Sequence, residues 1–525
     1  MGVRGVAIRG VAVVTRLLAV LAACALAACG GAESDGVDAP PPQDGVDVRE
    51  VAASLRVEPD DLAVDGAARL TVRHPRGLAA LTLGMDDALE LTGVRVNGRA
   101  VEATREGDAL SVPLAGGDSS VVEVAYRGRA TAGLFRDDSE GQTVVYTDGW
   151  PDRTAGWLPT VHHPSDASRF RLTLDVPQRF EGVATGRTVL DSIAGDRRHL
   201  RFELDGDAPP YTFAFALGDF VTVDDGGGEG PAIRHTLLAG EAGRARQLGR
   251  TGAALDTLAA VLGPYPYASY TTVQVPMTFA GMENAAAPFL RAELYRTALE
   301  GRNAIEEVNF HELVHQWWGN AVVPADWRDL WLAEGPATYL TADLYARLDG
   351  GTVGRRHLAL MVRQLERRDA RRALVVAYDD PAEVLSPTVY QKGGAVLHTL
   401  RLAIGDDAFW QAMRRIQTEH ADRPLSTAAF QSAFEAASGQ DLDVFFDFWV
   451  YGDAVPTLDT NWDRATRTLS WEIAGDAGTL AGVPFELLVL QGDAQTVVAA
   501  TDGVASLPSD SAPDVWPVGV LVEVE

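Results

Sequence analysis

At 525 residues the chain is long enough for about three domains of roughly 150 residues each. Its 46% hydrophobic and 22% charged residues, with no long run of one type, exclude wholesale disorder. A net charge of -28, from 73 acidic against 45 basic residues, argues against nucleic acid as a partner, because a phosphate backbone needs a basic surface; the charge reads as solubility.

Residues 1–29 read as a targeting segment, with Arg4, Arg9 and Arg16 ahead of an apolar run from Leu17 to Ala28 that is too short to span a bilayer. Leu26-Ala27-Ala28-Cys29, followed by Gly30, resembles the bacterial lipobox, whose cysteine becomes a lipidated N-terminus after cleavage. Cys29 is the expected attachment point, and Cys24, in the overlapping Leu21-Ala22-Ala23-Cys24, is a second candidate. An ordinary secretory signal with incidental cysteines is the alternative; on either reading the protein leaves the cytoplasm. A lipid anchor implies a place in the bacterial cell envelope, and Gly30 and Gly31 give no acidic inner-membrane retention signal, which favours the outer membrane where the cell has one. The chain has only these 2 cysteines, so any metal site must use His, Asp and Glu.

Residues 30–48, rich in Gly, Asp and Pro, read as a flexible tether. From 49 to 238, short apolar runs with alternation, such as Val121 to Tyr126 and Arg169 to Val176, predict an antiparallel β-sandwich. From 239 to 450, segments such as Ala242 to Leu262 and Ala304 to Trp318 carry helical spacing and predict a mainly helical domain. Alternation returns in 451–525, at Thr468 to Ile473 and Pro484 to Leu490, and predicts a small β-domain. The whole is a multidomain α+β chain.

Within the helical part lies His311-Glu312-Leu313-Val314-His315. A separation of four residues puts both imidazoles on one helix face, where they can reach one zinc ion, with Glu312 beside them to take a proton from a water on the metal. A catalytic zinc usually has three protein ligands, and Glu334, nineteen residues after His315 at the start of a second helical run, can supply the third.

With that spacing the sequence resembles the aminopeptidase N family of zinc peptidases, whose pattern is HExxH, eighteen residues, then Glu. His311 to Asn320 read HELVHQWWGN against the family's HELAHQWFGN, and Trp331 to Ala337 read WLAEGPA against WLNEGFA. Ala280-Gly281-Met282-Glu283-Asn284 resembles the GAMEN segment, which lies along the substrate, and Val389-Tyr390-Gln391-Lys392-Gly393-Gly394 resembles VYxKG. The resemblance implies a thermolysin-like catalytic domain with one zinc per chain. It makes Glu312 the base, Tyr390 the donor to the developing oxyanion, and Glu283 the anchor for a free α-amine. Gly281, Met282 and Asn284 would line the substrate, and the implied substrates are peptides with a free N-terminus.

Three departures bear on this. The segment Thr147-Asp148-Gly149-Trp150-Pro151 puts Trp150 where many members have a second amine-binding residue, leaving Asp148 as a substitute. Pro336 replaces an aromatic two residues after Glu334, and Ala280 replaces a glycine. About 75 residues follow Tyr451, too few for the helical roof of larger members, so a more open cleft is expected. His74, His162, His163, His199, His235, His357, His398 and His420 have no partner at ligand spacing and read as surface or core residues. A scaffold that kept the fold without catalysis is the non-enzymatic alternative.

Overall fold

Alternating apolar residues build the N-terminal domain. In the strand Ser119–Arg129 every second residue from Ser120 to Tyr126 is buried, so one face packs inward and the other meets solvent. This strand, Ala63–Arg73 and Asp47–Glu58 lie side by side, antiparallel, at the centre of an eight-stranded sheet. Asp47–Glu58 is flanked on its other side by Arg169–Pro177, and that pairing is parallel. A four-stranded sheet (Glu181–Ala184, Phe215–Gly218, Val144–Thr147, Leu134–Asp137) and a three-stranded one (Ala80–Gly84, Ala109–Pro113, Thr104–Glu106) complete the domain. Its core includes Val51, Leu70, Phe170 and Phe213, the last two stacked with ring centroids 4.2 Å apart. The computed structural model describes residues 42–524 apart from 227–229, 298–302, 379, 422, 475–479, 481–482 and 493, so the targeting segment, Cys24, Cys29 and residues 30–41 of the tether lie outside the described residues.

A five-stranded mixed sheet follows, in the order Phe220–Asp224, Ala232–Leu238, Ser269–Val275, Phe289–Arg291, Gly281–Met282. Ser269–Val275 is buried at every position and runs parallel to both neighbours, as a central strand covered on both faces must be. The short strand Gly281–Met282 forms the edge, antiparallel to Phe289–Arg291.

Helix α2 (Ala304–His315) packs on this sheet, and α1 (Thr251–Leu262), α3 (Trp331–Asp349), α4 (Gly351–Arg363), α5 (Gly393–Ile404), α6 (Asp406–Glu419), α7 (Thr427–Ser438) and α8 (Asp443–Trp449) share one core with them. Helix α2 is buried at eleven of twelve positions, although five of those eleven are Glu, Asn or His. Buried polar groups need partners. Asn309 has them: its amide donates to Thr251 Oγ1 at 2.9 Å, and its Oδ1 accepts from the Tyr270 hydroxyl at 3.0 Å.

The C-terminal domain consists of a four-stranded sheet (Val504–Ser506, Thr468–Ala474, Thr457–Asp463, Glu523–Val524) and a three-stranded one (Ala494–Ala499, Glu486–Gln491, Asp514–Pro517). The architecture is thus the multidomain α+β arrangement expected, with a sandwich, a mainly helical middle and a small β-domain. Among the described residues no helix is long and apolar enough to cross a membrane.

Candidate metal centre and substrate edge

The last turn of α2 and the first turn of α3 meet at three atoms. His311 Nε2 is 3.0 Å from His315 Nε2, and Glu334 Oε2 lies 3.2 Å from each. Tetrahedral zinc with bonds of about 2.0–2.1 Å has ligand edges of roughly 3.3 Å, so this triangle fits the face of a zinc site. His315 Nδ1 is 3.0 Å from the Trp318 carbonyl oxygen, which can accept only if Nδ1 carries the proton; Nε2 then presents its lone pair. Two imidazole nitrogens and a carboxylate, with a fixed tautomer, form the donor set of a catalytic zinc site. Burial works against charge on Glu334, but the two histidines overcome it and hold its carboxyl down at about 2.

Glu312, the neighbour of His311, is buried against the edge strand. A Cβ on Gly281 would collide with its Oε1 and stand 2.7 Å from its Cδ, so only glycine leaves the carboxylate room. Burial pushes the Glu312 carboxyl well above the usual range, with His315 opposing and Glu283 and Glu334 adding to the rise. The group has a high proton affinity where a proton has to be held.

Two motifs far apart in sequence are joined at this edge. The Asn320 amide donates to the Glu283 carbonyl at 2.7 Å, and the Gln316 amide donates to the Glu283 and Glu312 carbonyls at 3.3 and 3.0 Å. Gln316 Oε1 in turn accepts from the Ala286 backbone N–H at 2.8 Å. Gln316 and Asn320 therefore fasten the Gly281–Asn284 segment to α2 and its metal-binding face. Burial raises the Glu283 carboxyl; His315 opposes this, and Glu334 adds to it. The Tyr211 hydroxyl stands beside Glu283 and works to lower its carboxyl, the least of the effects on it. Neither Tyr211 nor this use of Gln316 and Asn320 was visible beforehand; all three contacts depend on long-range packing.

Asp148 is engaged elsewhere. Its Oδ2 pairs with Arg153 Nη2 at 2.5 Å and its Oδ1 accepts from the Trp150 N–H at 3.2 Å, which leaves it poorly placed to receive an amine. The Trp150 ring stands edge-on to Tyr211 and Trp327, at 5.3 and 5.1 Å. Pro336 lies in the second turn of α3, and the helix continues through it. Tyr390 sits on a π-helical turn, Thr388–Lys392, with its ring stacked on His311 at 6.0 Å between centroids. Burial raises its hydroxyl well above the ordinary value, and the neighbouring Glu334 and Glu283 carboxylates add to the rise. The turn is pinned by Lys392, whose ammonium donates to the Arg372 and Gly452 carbonyls at 2.6 and 3.2 Å.

Helices α3 and α5 touch through glycines: a Cβ on Gly335 would come within 3.2 Å of Gly393 Cα, and one on Gly393 within 3.1 Å of Gly335 Cα. That approach brings Glu334 and Tyr390 to one place. From the metal-binding face a cleft of about 880 Å³, its open mouth included, runs between α2, α3 and α4, and His357 lines it along with Glu307.

Residues 248–449 match the peptidase family M1 domain. Aminopeptidase N of Caulobacter vibrioides is 26% identical over 77% of this chain and 50% of its own length; Aminopeptidase M1 of Arabidopsis thaliana is 25% identical over 62% of this chain and 38% of its own. The chain spans half or less of the length of these curated relatives. The crystal structure of an M1 zinc metallopeptidase from Deinococcus radiodurans superposes with a TM-score of 0.70 at 26% identity, covering 79% of this chain and 95% of that one. A variant of that protein bound to a Tyr-Ser-Ala substrate matches equally well, at a TM-score of 0.70, 26% identity, and coverage of 79% and 96%. Residues 248–449 thus carry a peptidase family M1 domain, in a chain that is similar over 79% of its length to an M1 zinc metallopeptidase.

Proposed function

We propose that the protein is a zinc-dependent aminopeptidase that removes N-terminal residues from peptides outside the cytoplasm. The observation that carries the reading is the convergence of His311, His315 and Glu334 on one point, with Glu312 beside them and a free sheet edge ending at Glu283. His311, His315 and Glu334 would hold the zinc, which when bound polarises the scissile carbonyl and makes a water acidic enough to lose a proton near neutrality. Glu312 takes that proton on its carboxylate and delivers it to the departing amine. Tyr390 donates its hydroxyl hydrogen to the carbonyl oxygen as negative charge gathers there. The outer edge of Gly281–Met282 offers backbone groups with which an extended peptide can pair as an added strand. Glu283 receives the α-ammonium group, and Asn284 extends the same wall. The Deinococcus radiodurans relative with its Tyr-Ser-Ala substrate supports short peptides as the substrate class.

The location belongs to the same proposal and rests on the lipobox-like sequence at Cys29, with Cys24 as the alternative. Metabolic labelling with a fatty-acid analogue of the wild type and of Cys29→Ser reads it directly.

The test of activity is a panel of aminoacyl fluorogenic amides with N-acetylated counterparts. Cleavage of the free-amine set alone, abolished by a chelator and restored by zinc, is expected. Equal cleavage of the acetylated set overturns the exopeptidase assignment, and cleavage of neither by a zinc-loaded protein overturns the enzymatic one.

A further inference from the structure

The π-helical turn Thr388–Lys392 buries Thr388, Val389, Gln391 and Lys392 and leaves Tyr390 partly exposed, its ring against His311. Such turns are rare in helical runs and are found mostly at functional sites. They persist where the surroundings hold them. A hydroxyl that has to meet an oxygen as charge develops there gains most when it is already in position, so what holds this turn bears on what Tyr390 can do.

Both ends of the turn are fastened to one neighbouring segment. Thr388 Oγ1 donates to the Asp369 carbonyl at 3.1 Å, and at the far end Lys392 Nζ donates to the Arg372 carbonyl at 2.6 Å. The same ammonium donates to the Gly452 carbonyl at 3.2 Å, just past α8. These acceptors are themselves fixed. The Leu374 N–H donates to the Val450 carbonyl at 2.8 Å, which ties the two segments together, and a Cβ on Gly452 would stand 2.5 Å from the Phe448 carbonyl oxygen. Lys392 is 0% exposed, and burying an ammonium is costly, so an apolar side chain would fill the same space more cheaply. Burial pulls the ammonium down to about 8, with Asp453 opposing, so it keeps its charge at neutral pH. What the ammonium supplies and an apolar chain cannot is a set of charge-assisted bonds from the Tyr390 turn to two backbone segments.

We propose that Lys392, with Thr388 at the other end of the turn, is a positioning residue that holds the Tyr390 hydroxyl in place for the developing oxyanion. The role rests on the aminopeptidase reading. The experiment measures kcat, KM and bound zinc with an alanyl fluorogenic amide for Lys392→Met and Thr388→Val, each made in the wild type and in a Tyr390→Phe background. In the wild type, Lys392→Met should lower kcat by about tenfold to a hundredfold and Thr388→Val by less, with KM and zinc content held, because the contact they misplace forms only as charge develops. In the Tyr390→Phe background the hydroxyl is already gone, and neither substitution should lower kcat by more than about a further twofold. A lysine that served packing alone would lower stability and leave that difference between backgrounds at nothing. Full turnover by folded Lys392→Met, or a loss of the same size in both backgrounds, overturns the proposal. Thr388→Val keeps the side chain's shape and removes only its bond to Asp369, so it carries the same test, with the same overturning results, should Lys392→Met fail to fold. Failure of the zinc-loaded wild type to cleave the amide overturns the aminopeptidase reading, and the positioning role with it.

Discussion

A methyl group at position 281 and the carboxylate of Glu312 compete for the same space. Gly281→Ala must therefore displace the carboxylate while leaving His311, His315 and Glu334 untouched. An ångström of misplacement at a reacting group costs about a hundredfold. The variant should keep one zinc per chain by elemental analysis and lose turnover on that order. Glu312→Gln separates position from chemistry: it keeps the shape, removes the proton acceptor, and should cost about 100-fold to 10,000-fold in kcat with zinc retained. Normal turnover by either variant would sink the role given to Glu312. Tyr390→Phe should lose about 100-fold to 1000-fold, again without loss of metal, because the contact it removes strengthens only as charge develops. At this scale the sequence was most legible where chemistry forces spacing. Two histidines on one turn, and a glutamate at the start of the next helical run, can be read from positions 311, 315 and 334 alone. The clasp of Gln316 and Asn320 on the Glu283 carbonyl could not be read that way, because only folding brings residues more than thirty positions apart to one edge.

Elements show the same division. Alternation identified the sandwich strands, yet the parallel pairing of Asp47–Glu58 with Arg169–Pro177 joins segments more than a hundred residues apart and leaves no mark on either one. The mixed sheet was missed within the helical middle because its central strand, Ser269–Val275, is buried on both faces and so lacks alternation, and its residues are largely polar. Their burial is tolerated because they have partners: the Gln274 side chain donates to Glu241 at 2.7 Å and accepts from the Leu238 N–H at 3.0 Å. The contact between α3 and α5 explains two glycines that the motifs only display. Gly393→Ala would press a methyl group to 3.1 Å from Gly335 Cα and force the helices apart by a few tenths of an ångström. Since α3 carries Glu334, the shift reaches the metal ligands. Zinc affinity should fall by about tenfold, comparable to losing a supporting contact around a metal site, and competition with a chromogenic chelator would read it. An unchanged affinity would show that α3 stays in place and that the glycine serves packing alone.

At the scale of the whole molecule, the C-terminal domain is fastened to the helix that walls the cleft. Helix α4 turns His357 and Met361 toward the cleft and Arg355 and Arg363 toward the C-terminal sheets, where they meet Glu486 and Asp514. Arg363 also lies 4.6 Å above the Trp516 ring. Just beyond α4, Arg367 and Arg371 both grip Glu523 in the strand Glu523–Val524. Their hydrogen bonds hold the Glu523 carboxyl at about 2, below its ordinary 4.5. The folded chain therefore binds this proton less readily than the unfolded one. The stabilisation is complete above about pH 4.5 and is lost as pH falls toward 2. The guanidinium partners are 66% and 45% exposed, so screening limits the contribution to about 1 kcal/mol or less. Glu523→Gln should accordingly lower the thermal midpoint by about 1 °C at pH 7, with a gap to the wild type that narrows between about pH 4.5 and 2. Because the same contacts brace α4, any loss of substrate selectivity in this variant should follow the same pH course, strongest where the carboxylate is ionised. A gap in thermal midpoint that is equally wide at pH 7 and pH 3 would mean that Glu523 acts through packing, and the ionic brace between the C-terminal sheet and the cleft wall would have to be abandoned.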